Sequence, residues 1–573
     1  MGIPKFFRFL RERYPAIEEP VDAHNKPQFD NFYVDMNGLI HQAAQKVIAE
    51  TEAAKVEEPE HSRIYWETCN TVDMLVHLVR PRAVLFLAVD GVAPAAKMSQ
   101  QRERRYRNAW ERNAKLGQSE RNNVLQPTDE QTSSRMPPTC SKTNDGPGQE
   151  DASSIPFDSN WITPGTPFLH EFGRYLEHFV QVKCSEDPVY QHLDVIVSTA
   201  QQPGEGEHKL ADFIRQEKRI RLRKSKEMQE KCAGHERSPS HCMYGLDADL
   251  IMLALMSHEP KFSLLREHLH FDKGEITEWD PKWRLRSAQN HYVFVHIGLL
   301  REYLHFEFSP EHAEDRDQAS PAYNLERVID DFILLNMLIG NDFMPAVPFV
   351  DVHEGNLGEF FHLYRTYLRK ALRRADAMQG DSDWDPYLTY DCGNVNWRNF
   401  RKFMSLLAVN ERTRIEQKVE ASDITFGVCK DLVAVSQRSG GKQGVQGRNV
   451  VRPQSFAECR ALHYRTKLGL SGDFDRDGGD KSAHLEDQRD GAFQSAGLDG
   501  VCRSYCEVLL WSLKYYFRGV TECGWSYCYP HHYAPLLCDL ASCSFLRGDG
   551  VRDMRFHIGS PVEPFEQLIR VLP

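Results

Sequence analysis

Five short apolar runs in this chain are each followed, within a few residues, by one or two carboxylates. Short apolar runs separated by helical stretches are typical of buried parallel strands. The carboxyl ends of such strands share one edge of the sheet, and ligands bind at that edge. We therefore predict an α/β fold in which the acids converge in a single crevice. The runs and their acids are Phe32–Val34 with Asp35, Val84–Val89 with Asp90, Val195–Val197 with Glu205 and Glu207, Met243–Leu246 with Asp247 and Asp249, and Leu335–Ile339 with Asp342.

The predicted crevice contains seven carboxylates, which cannot all stay ionised without counter-charge. A pair of divalent cations is the usual source of that charge. Glu205 and Glu207 are two residues apart, as are Asp247 and Asp249, so each pair would lie on one side of an extended segment. A single Asp at a strand end is more often a helix cap or turn residue. Here five separate apolar runs are each followed by carboxylates, and this repetition favours a metal site.

A proline-free run from 97 to 116 is rich in helix formers and predicts a helix. Lys97, Gln101, Arg104 and Arg105 are spaced at i, i+4, i+7 and i+8, which places them on one face of that helix. Such a face beside an acidic crevice suits the binding of a terminal phosphate. A solvated basic face has the same spacing, so the spacing alone leaves both interpretations open.

Two aromatic residues are candidates for contact with nucleobases. His41 is six residues past Asp35, at the start of the helix that should follow the first strand, and Trp525 lies in the aromatic-rich segment Gly524–Tyr533. Aromatic faces near a phosphate site stack on bases. Taken alone, each residue would be interpreted as an ordinary core or surface aromatic.

The bulk composition excludes few classes of protein. The net charge of -12 over 573 residues argues weakly against a purely electrostatic nucleic-acid binder, although metal-binding acids inflate it. The sequence has neither an apolar run long enough to span a membrane nor a secretory signal. We expect an intracellular protein without a membrane partner.

The chain is expected to contain two regions. The first, 1–375, contains the acids and has an insertion of polar composition at about 118–154. The second, 376–573, is predicted to be mostly helical and to wrap the active site, with loop insertions at about 438–447 and 472–500.

Seven motifs, in order along nearly the whole chain, resemble the XRN family of processive 5′-to-3′ exoribonucleases. Together they are far more specific than any one of them. They are Met1–Arg8, Tyr33–Gly38, Asp90–Pro94, Ile162–Thr166, Pro203–Lys209, Tyr244–Asp249 and Gly340–Phe343.

The resemblance implies a PIN-like, Rossmann-like catalytic domain and a set of functional residues. It implies Mg²⁺ as the cofactor, with Mn²⁺ as a substitute, and single-stranded RNA with a 5′-monophosphate as the substrate, hydrolysed by a two-metal mechanism to nucleoside 5′-monophosphates. The implied metal ligands are Asp35, Asp90, Glu205, Glu207, Asp247, Asp249 and Asp342, the implied 5′-phosphate ligands are Lys97, Gln101, Arg104 and Arg105, and the implied base-stacking residues are His41 and Trp525.

The resemblance is closer to the cytoplasmic branch of the family. The nuclear branch often has a Cys/His knuckle, whereas 271–290 contains no Cys here. We expect a cytoplasmic protein that acts in RNA turnover, with the nucleus as the alternative, and the sequence names no protein partner.

Two other functions are compatible with parts of the pattern. A PIN-like flap endonuclease shares the acids but lacks the set from Lys97 to Arg105. A catalytically silent RNA-binding scaffold would arise from loss of metal ligands, yet all seven acids are present.

Overall fold

The structure is a computed structural model that describes part of the chain. This part comprises residues 6–21, 27–54, 61–107, 159–229, 238–267, 292–310, 320–348, 357–378, 385–420, 455–470, 488–547 and 554–572. The insertions predicted at 118–154 and 438–447 lie outside the described residues.

A seven-stranded sheet forms the centre of the first region, in the order β1-β7-β6-β5-β2-β3-β4. The five strands from β6 to β4 are parallel, while β7 and β1 join antiparallel at one edge. The predicted α/β fold with a mainly parallel sheet is therefore confirmed. The strands are β1 Glu18–Pro20, β2 Asn31–Asp35, β3 Val84–Ala88, β4 Asp194–Ser198, β5 His241–Tyr244, β6 Phe262–Glu267 and β7 Tyr292–His296.

Helices cover both faces of this sheet, which explains why its strands are almost continuously apolar. Alternate residues of β2 face opposite sides of the sheet. Phe32 and Val34 belong to the core that includes α2, α3 and α5, and Tyr33 belongs to the core that includes α1 and α6–α9. The helices are α1 Phe6–Arg13, α2 Met36–Ala54, α3 His61–Val79, α4 described over 95–107, α5 Pro167–Glu186, α6 Gly206–Gln229, α7 Asp249–Met256, α8 Ile297–Phe308 and α9 Leu325–Leu338.

The second region is mostly helical and shares a core with the first. Trp511 and Tyr515 of its longest helix, α13, are buried against Phe343, with ring centroids 5.3 and 5.4 Å apart. Helix α10 Leu357–Ala377 crosses the predicted division between the regions. The elements after it are the short hairpin β8 Thr389–Tyr390 and β9 Asn394–Val395, α11 Trp397–Glu420, α12 Phe456–Lys467, α13 Gln488–Arg518, α14 Val520–Cys523, α15 Leu537–Ser542 and α16 Pro564–Arg570. The division at residue 375 stays a prediction.

Two predictions about elements were wrong. Leu335–Ile339 was expected to be a strand, but it forms the last turn and C-cap of helix α9, in which every residue from Val328 to Leu338 is buried. A short apolar run does not distinguish a buried strand from a buried helix.

The loop insertion predicted at 472–500 is also wrong in part, because α13 begins at Gln488. Helix formation propagates along the chain once a stable segment exists. The apolar residues from Val501 to Phe517 supply that segment, so the helix extends back through Gly497 and Gly500 despite their low helix propensity.

Among the described residues, no helix combines the length and the apolar character that crossing a bilayer requires.

Candidate functional site

The seven predicted acids lie in, or next to, the ends of strands and helices at the carboxyl edge of the parallel strands. Asp35 ends β2, and Asp90 comes two residues after β3. Asp342 follows helix α9 instead of a strand. The other four acids flank helix starts: Glu205 and Glu207 at α6, and Asp247 and Asp249 at α7. The expectation that these two pairs lie on extended segments is therefore wrong, since Glu207 and Asp249 are already helical.

Three of the acids lie close enough to share one cation. One carboxylate oxygen each from Asp35, Asp90 and Glu207 lies within 4.8 Å of the others. Asp35 Oδ1 and Asp249 Oδ1 are buried and accept no hydrogen bond from the protein. Buried carboxylate oxygens without donors are costly unless a cation binds them. The donor set therefore fits a divalent metal.

Gly206 shapes this part of the pocket. Its N–H donates to Asp90 Oδ1 at 2.6 Å. A Cβ at this position would lie 2.7 Å from Asp35 Oδ1 and 3.3 Å from Asp90 Oδ1, which is too close without a shift of the carboxylates. Only glycine lets the start of α6 approach both acids.

The pKa values of the acids reflect crowding. Burial, followed by the charge of Asp90, raises the pKa of Asp35 to about 8. Burial and Asp247 raise the pKa of Asp249 to about 8 in the same way. Burial, followed by Glu205, raises the pKa of Glu207 well above its usual range. Positive charge is thus required for these groups to ionise together.

Lys97 provides part of this charge. Its Nζ lies 2.5 Å from Glu205 Oε2 and 2.8 Å from Asp342 Oδ2. Burial opposes the ionisation of Asp342, but the ammonium outweighs it and lowers the pKa of that carboxyl. Lys97 therefore links helix α4 to the acidic pocket.

The other three residues of the predicted phosphate face have different surroundings. The Gln101 side chain accepts a hydrogen bond from Gln567 Nε2 at 3.4 Å. Arg105 donates to the Thr163 hydroxyl and to the Asn160 carbonyl. Arg104 is exposed.

The two predicted stacking residues lie near α4. Burial, followed by the positive charge of Arg104, lowers the pKa of His41, while Asp90 acts in the opposite direction. His41 therefore lies between the basic face and the acids. The Trp525 carbonyl accepts the Ala95 N–H at 2.8 Å, which places this half-buried residue at the start of α4. The assigned roles of all thirteen residues stay predictions.

Three positioning residues were missed by the sequence analysis. Asn37 donates to Asp90 Oδ2 at 2.6 Å and accepts the Asp90 N–H at 3.0 Å. Tyr515 OH donates to Glu205 Oε1 at 2.8 Å, and Tyr516 OH donates to Asp249 Oδ2 at 3.0 Å. Asn37 is part of the quoted motif Tyr33–Gly38 and could have been noticed there. The tyrosines gave no signal, because nothing in the sequence pairs α13 with these acids.

Lys209 was also missed, although it is part of the motif Pro203–Lys209. Its Nζ donates to the Val89 carbonyl at 2.7 Å and to the Thr199 carbonyl at 3.0 Å. Burial lowers the pKa of Lys209 to about 8. This side chain holds together the two backbone segments that follow β3 and β4.

A mainly parallel sheet with carboxylates gathered at the carboxyl edge of its strands defines the class of the first region, which is a PIN-like α/β domain.

Comparison with known sequences agrees with this class. The sequence model for the XRN 5′-3′ exonuclease N-terminus matches residues 1–268, and that for the Xrn1 helical domain matches residues 322–437 and 485–573. The chain belongs to the XRN family.

Curated relatives match along the whole chain. It is 32% identical to 5′-3′ exoribonuclease 1 of Homo sapiens, and this match covers 100% of the chain and 30% of that protein. It is 30% identical to 5′-3′ exoribonuclease 1 of Schizosaccharomyces pombe and 29% identical to 5′-3′ exoribonuclease 2 of Arabidopsis thaliana, again over 100% of the chain and over 44% and 61% of those proteins. The chain thus spans less than two thirds of the length of these relatives.

Proposed function

We propose that this protein is a processive 5′-to-3′ exoribonuclease that degrades single-stranded RNA with a 5′-monophosphate to nucleoside 5′-monophosphates. The observation that carries the proposal is that Lys97 connects the acidic pocket to the basic face of helix α4. On one side are the acids, and on the other is helix α4 with the exposed Arg104. An acidic pocket and a cationic helix face are thus held next to each other. The names of the relatives support the same reaction.

The proposed cofactor is Mg²⁺, with Mn²⁺ as a substitute. The donors in the pocket are carboxylate oxygens, which hard divalent cations prefer. Asp35, Asp90 and Glu207 would hold one cation, and the remaining acids would complete the site. Bound cations would supply activation of a water molecule and charge stabilisation at the leaving 3′ oxygen.

The protein's own contribution is to fix the acids before substrate binds. Asn37 and the Gly206 N–H orient Asp90, while the two tyrosines of α13 orient Glu205 and Asp249. Groups held in advance need little reorganisation during the reaction. The second region therefore acts on the chemistry through hydrogen bonds to the acids.

The basic face of α4 accounts for the proposed direction of degradation. Arg104 is available to contact a terminal phosphate, and Lys97 connects that face to the acids. Each cleavage leaves a new 5′-phosphate that can occupy the same place, which makes the reaction processive. A cap or a triphosphate would be rejected by its size. His41 and Trp525 are proposed to stack on the first bases.

The phosphate preference can be tested with Arg104→Ala. Loss of a charge-assisted contact costs roughly 1.5 to 3 kcal/mol, so kcat/KM on 5′-monophosphate RNA should fall about 10- to 100-fold. The same variant should change much less on 5′-hydroxyl RNA. Arg107→Ala is the matched control, because this residue is on the same helix, pairs with Glu103 and has a side chain that is 66% exposed. Equal loss on both RNAs would remove the phosphate site from the proposal.

The products distinguish the alternatives. Wild-type protein with Mg²⁺ and end-labelled RNA should release nucleoside 5′-monophosphates. Release of oligonucleotides from a branched substrate would instead indicate a flap endonuclease. Binding without hydrolysis, with either Mg²⁺ or Mn²⁺, would indicate a silent scaffold.

The proposed location is the cytoplasm, where the protein would act in RNA turnover. The absence of Cys from 271–290 supports this placement. Nuclear accumulation of the tagged protein in its own cells would contradict it.

A further inference from the structure

A buried glutamine connects helix α16 to the predicted phosphate face of α4. The side chain of Gln567 is fully buried. Its Oε1 accepts the Ala93 N–H at 2.8 Å, and its Nε2 donates to Gln101 Oε1 at 3.4 Å. Both ends of the amide are thus hydrogen-bonded, which a buried polar group requires. Gln567 therefore bridges the segment that begins with Asp90 and the helix that contains Gln101.

The Ala93 N–H is held in a fixed position. The segment before it is tied to the loop after β4, because the Gly91 N–H donates to the Gly204 carbonyl at 2.9 Å and the Gly204 N–H donates to the Val92 carbonyl at 2.7 Å. A backbone N–H can donate a hydrogen bond but cannot accept one. The amide atom that faces Ala93 must therefore be the oxygen of Gln567, which leaves the nitrogen to face α4.

This constraint passes on to the amide of Gln101. The two ends of a glutamine amide have nearly the same shape, so their hydrogen-bond partners decide which end points where. Because Gln567 presents N–H groups, Gln101 must present its oxygen to them. Gln101 Nε2 is then the amide atom turned away from Gln567, and it carries two N–H donors. Such donors suit a phosphate oxygen, whereas the amide oxygen would repel it.

Helix α16 is anchored next to this chain of amides. Val571, its C-cap residue, is fully buried in a small apolar cluster with Val92 and Met98. Val92 precedes Ala93, and Met98 belongs to α4, so the cluster packs α16 against the same two segments that the buried glutamine bridges. A side chain supported in this way holds its partner in one geometry.

We propose that Gln567 is a positioning residue for the 5′-phosphate of the RNA. It keeps the N–H donors of Gln101 turned toward the phosphate, and it fixes them relative to the segment that carries Asp90. Being fully buried, Gln567 does not contact the substrate itself. The inference rests on the proposed function, because it takes Gln101 as a phosphate ligand. The consequence is a preference for RNA with a 5′-phosphate over RNA with a 5′-hydroxyl.

Two substitutions separate the orientation of the amide from the packing of α16. Gln567→Met nearly keeps the volume and removes both hydrogen bonds. Gln567→Glu keeps the acceptor for Ala93 but replaces the donor with an oxygen, so Gln101 must turn its N–H groups toward the new carboxylate and its oxygen toward the phosphate. Ile569→Glu is the matched control, because it adds the same charge to α16 at a side chain that is 53% exposed.

The measurement is kcat/KM on 5′-monophosphate and 5′-hydroxyl RNA of one sequence. On 5′-monophosphate RNA, Gln567→Met should lose about three- to tenfold and Gln567→Glu at least about tenfold. On 5′-hydroxyl RNA, both should stay within about twofold of the wild type. Ile569→Glu should match the wild type on both substrates. Circular dichroism and the melting temperature check the fold.

A double-variant cycle shows whether Gln567 acts through Gln101. Gln101→Met alone should reduce the preference for the 5′-phosphate. Adding Gln567→Met to it should change the preference by no more than about twofold, because the amide that Gln567 orients is already gone. If Gln567→Met does not fold, Gln567→Glu, which differs from the wild type by one atom, takes its place in the cycle.

The outcomes distinguish this inference from the proposed function. Equal loss on the two RNAs in the Gln567 variants would assign Gln567 a merely structural role and overturn the inference. Effects of Gln567 and Gln101 that multiply in the double variant would also overturn it. So would a reduced preference in Gln101→Met together with an unchanged preference in the Gln567 variants. An unchanged preference in Gln101→Met would instead contradict the phosphate site of the proposed function.

Discussion

At the scale of single residues, the site depends on how closely backbone and carboxylates approach each other. Asp90 is held from two sides, by the Asn37 side chain and by the Gly206 N–H. Asp35 and Asp249 each have a buried oxygen without a donor from the protein. The pocket is thus partly rigid and partly open to a ligand that carries positive charge.

Gly206→Ala should impair activity without unfolding the protein. The added methyl group would lie 2.7 Å from Asp35 Oδ1, so the carboxylate must move away from its neighbours. We expect a fall in kcat/KM of at least about tenfold, equivalent to about 1.4 kcal/mol of barrier. Gly358→Ala on α10 is the control, because a Cβ there meets nothing within 4 Å. Unchanged activity of Gly206→Ala would show that the contact is not critical.

Asp249→Asn should abolish turnover and leave RNA binding largely intact. The substitution keeps the size of the side chain but removes the charge of a proposed metal ligand. A loss of about 100-fold or more is expected in single-turnover assays, with RNA affinity measured separately by fluorescence anisotropy. Asp391→Asn is the control, since the Asp391 side chain is 75% exposed. Hydrolysis within about tenfold of wild type would refute the ligand assignment.

At the scale of elements, one buried acid joins the two regions. Asp331 of α9 is fully buried and accepts hydrogen bonds from the Leu388 and Thr389 N–H groups, the Thr389 hydroxyl and the Tyr364 hydroxyl. The N–H donors belong to β8 and the residue before it, and Tyr364 belongs to α10. This carboxyl therefore ties α9 to the beginning of the helical region.

Asp331→Ala should destabilise the protein strongly. Buried donors that lose their acceptor cost about 1 to 3 kcal/mol each, and several donors would be left here, so a loss of at least about 2 kcal/mol is expected. The measurement is the urea midpoint, compared with that of Glu416→Ala, an acid on α11 whose side chain is 44% exposed. If the urea midpoints of Asp331→Ala and Glu416→Ala agree within error, water must replace the lost acceptor.

At the scale of the whole molecule, the acidic pocket couples cation binding to stability. Its acids come from both halves of the sheet and from the end of α9, and their hydrogen-bond partners come from α13. Repulsion among them acts against this packing when no cation is bound. A cation that binds the folded state alone must stabilise it.

Mg²⁺ should therefore raise the melting temperature, and EDTA should lower it. At a free concentration 100 times the dissociation constant, the stabilisation is about 2.7 kcal/mol. Differential scanning fluorimetry over a Mg²⁺ titration measures the shift, and Asp249→Asn should reduce it. A melting temperature that does not respond to Mg²⁺ or Mn²⁺ would contradict the metal site independently of any activity assay.

The sequence by itself determined the parallel sheet and the convergence of most of the acids. Asp35, Asp90, Glu205 and Asp247 follow strands or precede helices, and local hydrophobic pattern specifies those elements. Because parallel strands end at one edge of the sheet, these acids converge there, and their convergence does not depend on how the helices pack.

Only the tertiary structure decided the rest. Asp342 reaches the pocket from the end of a helix, Lys97 lies between it and Glu205, and the tyrosines of α13 approach acids that are 310 and 267 residues away in the chain. Such contacts depend on how helices pack against the sheet. Packing depends on the shapes of side chains that are distant in sequence, and local periodicity holds no information about them.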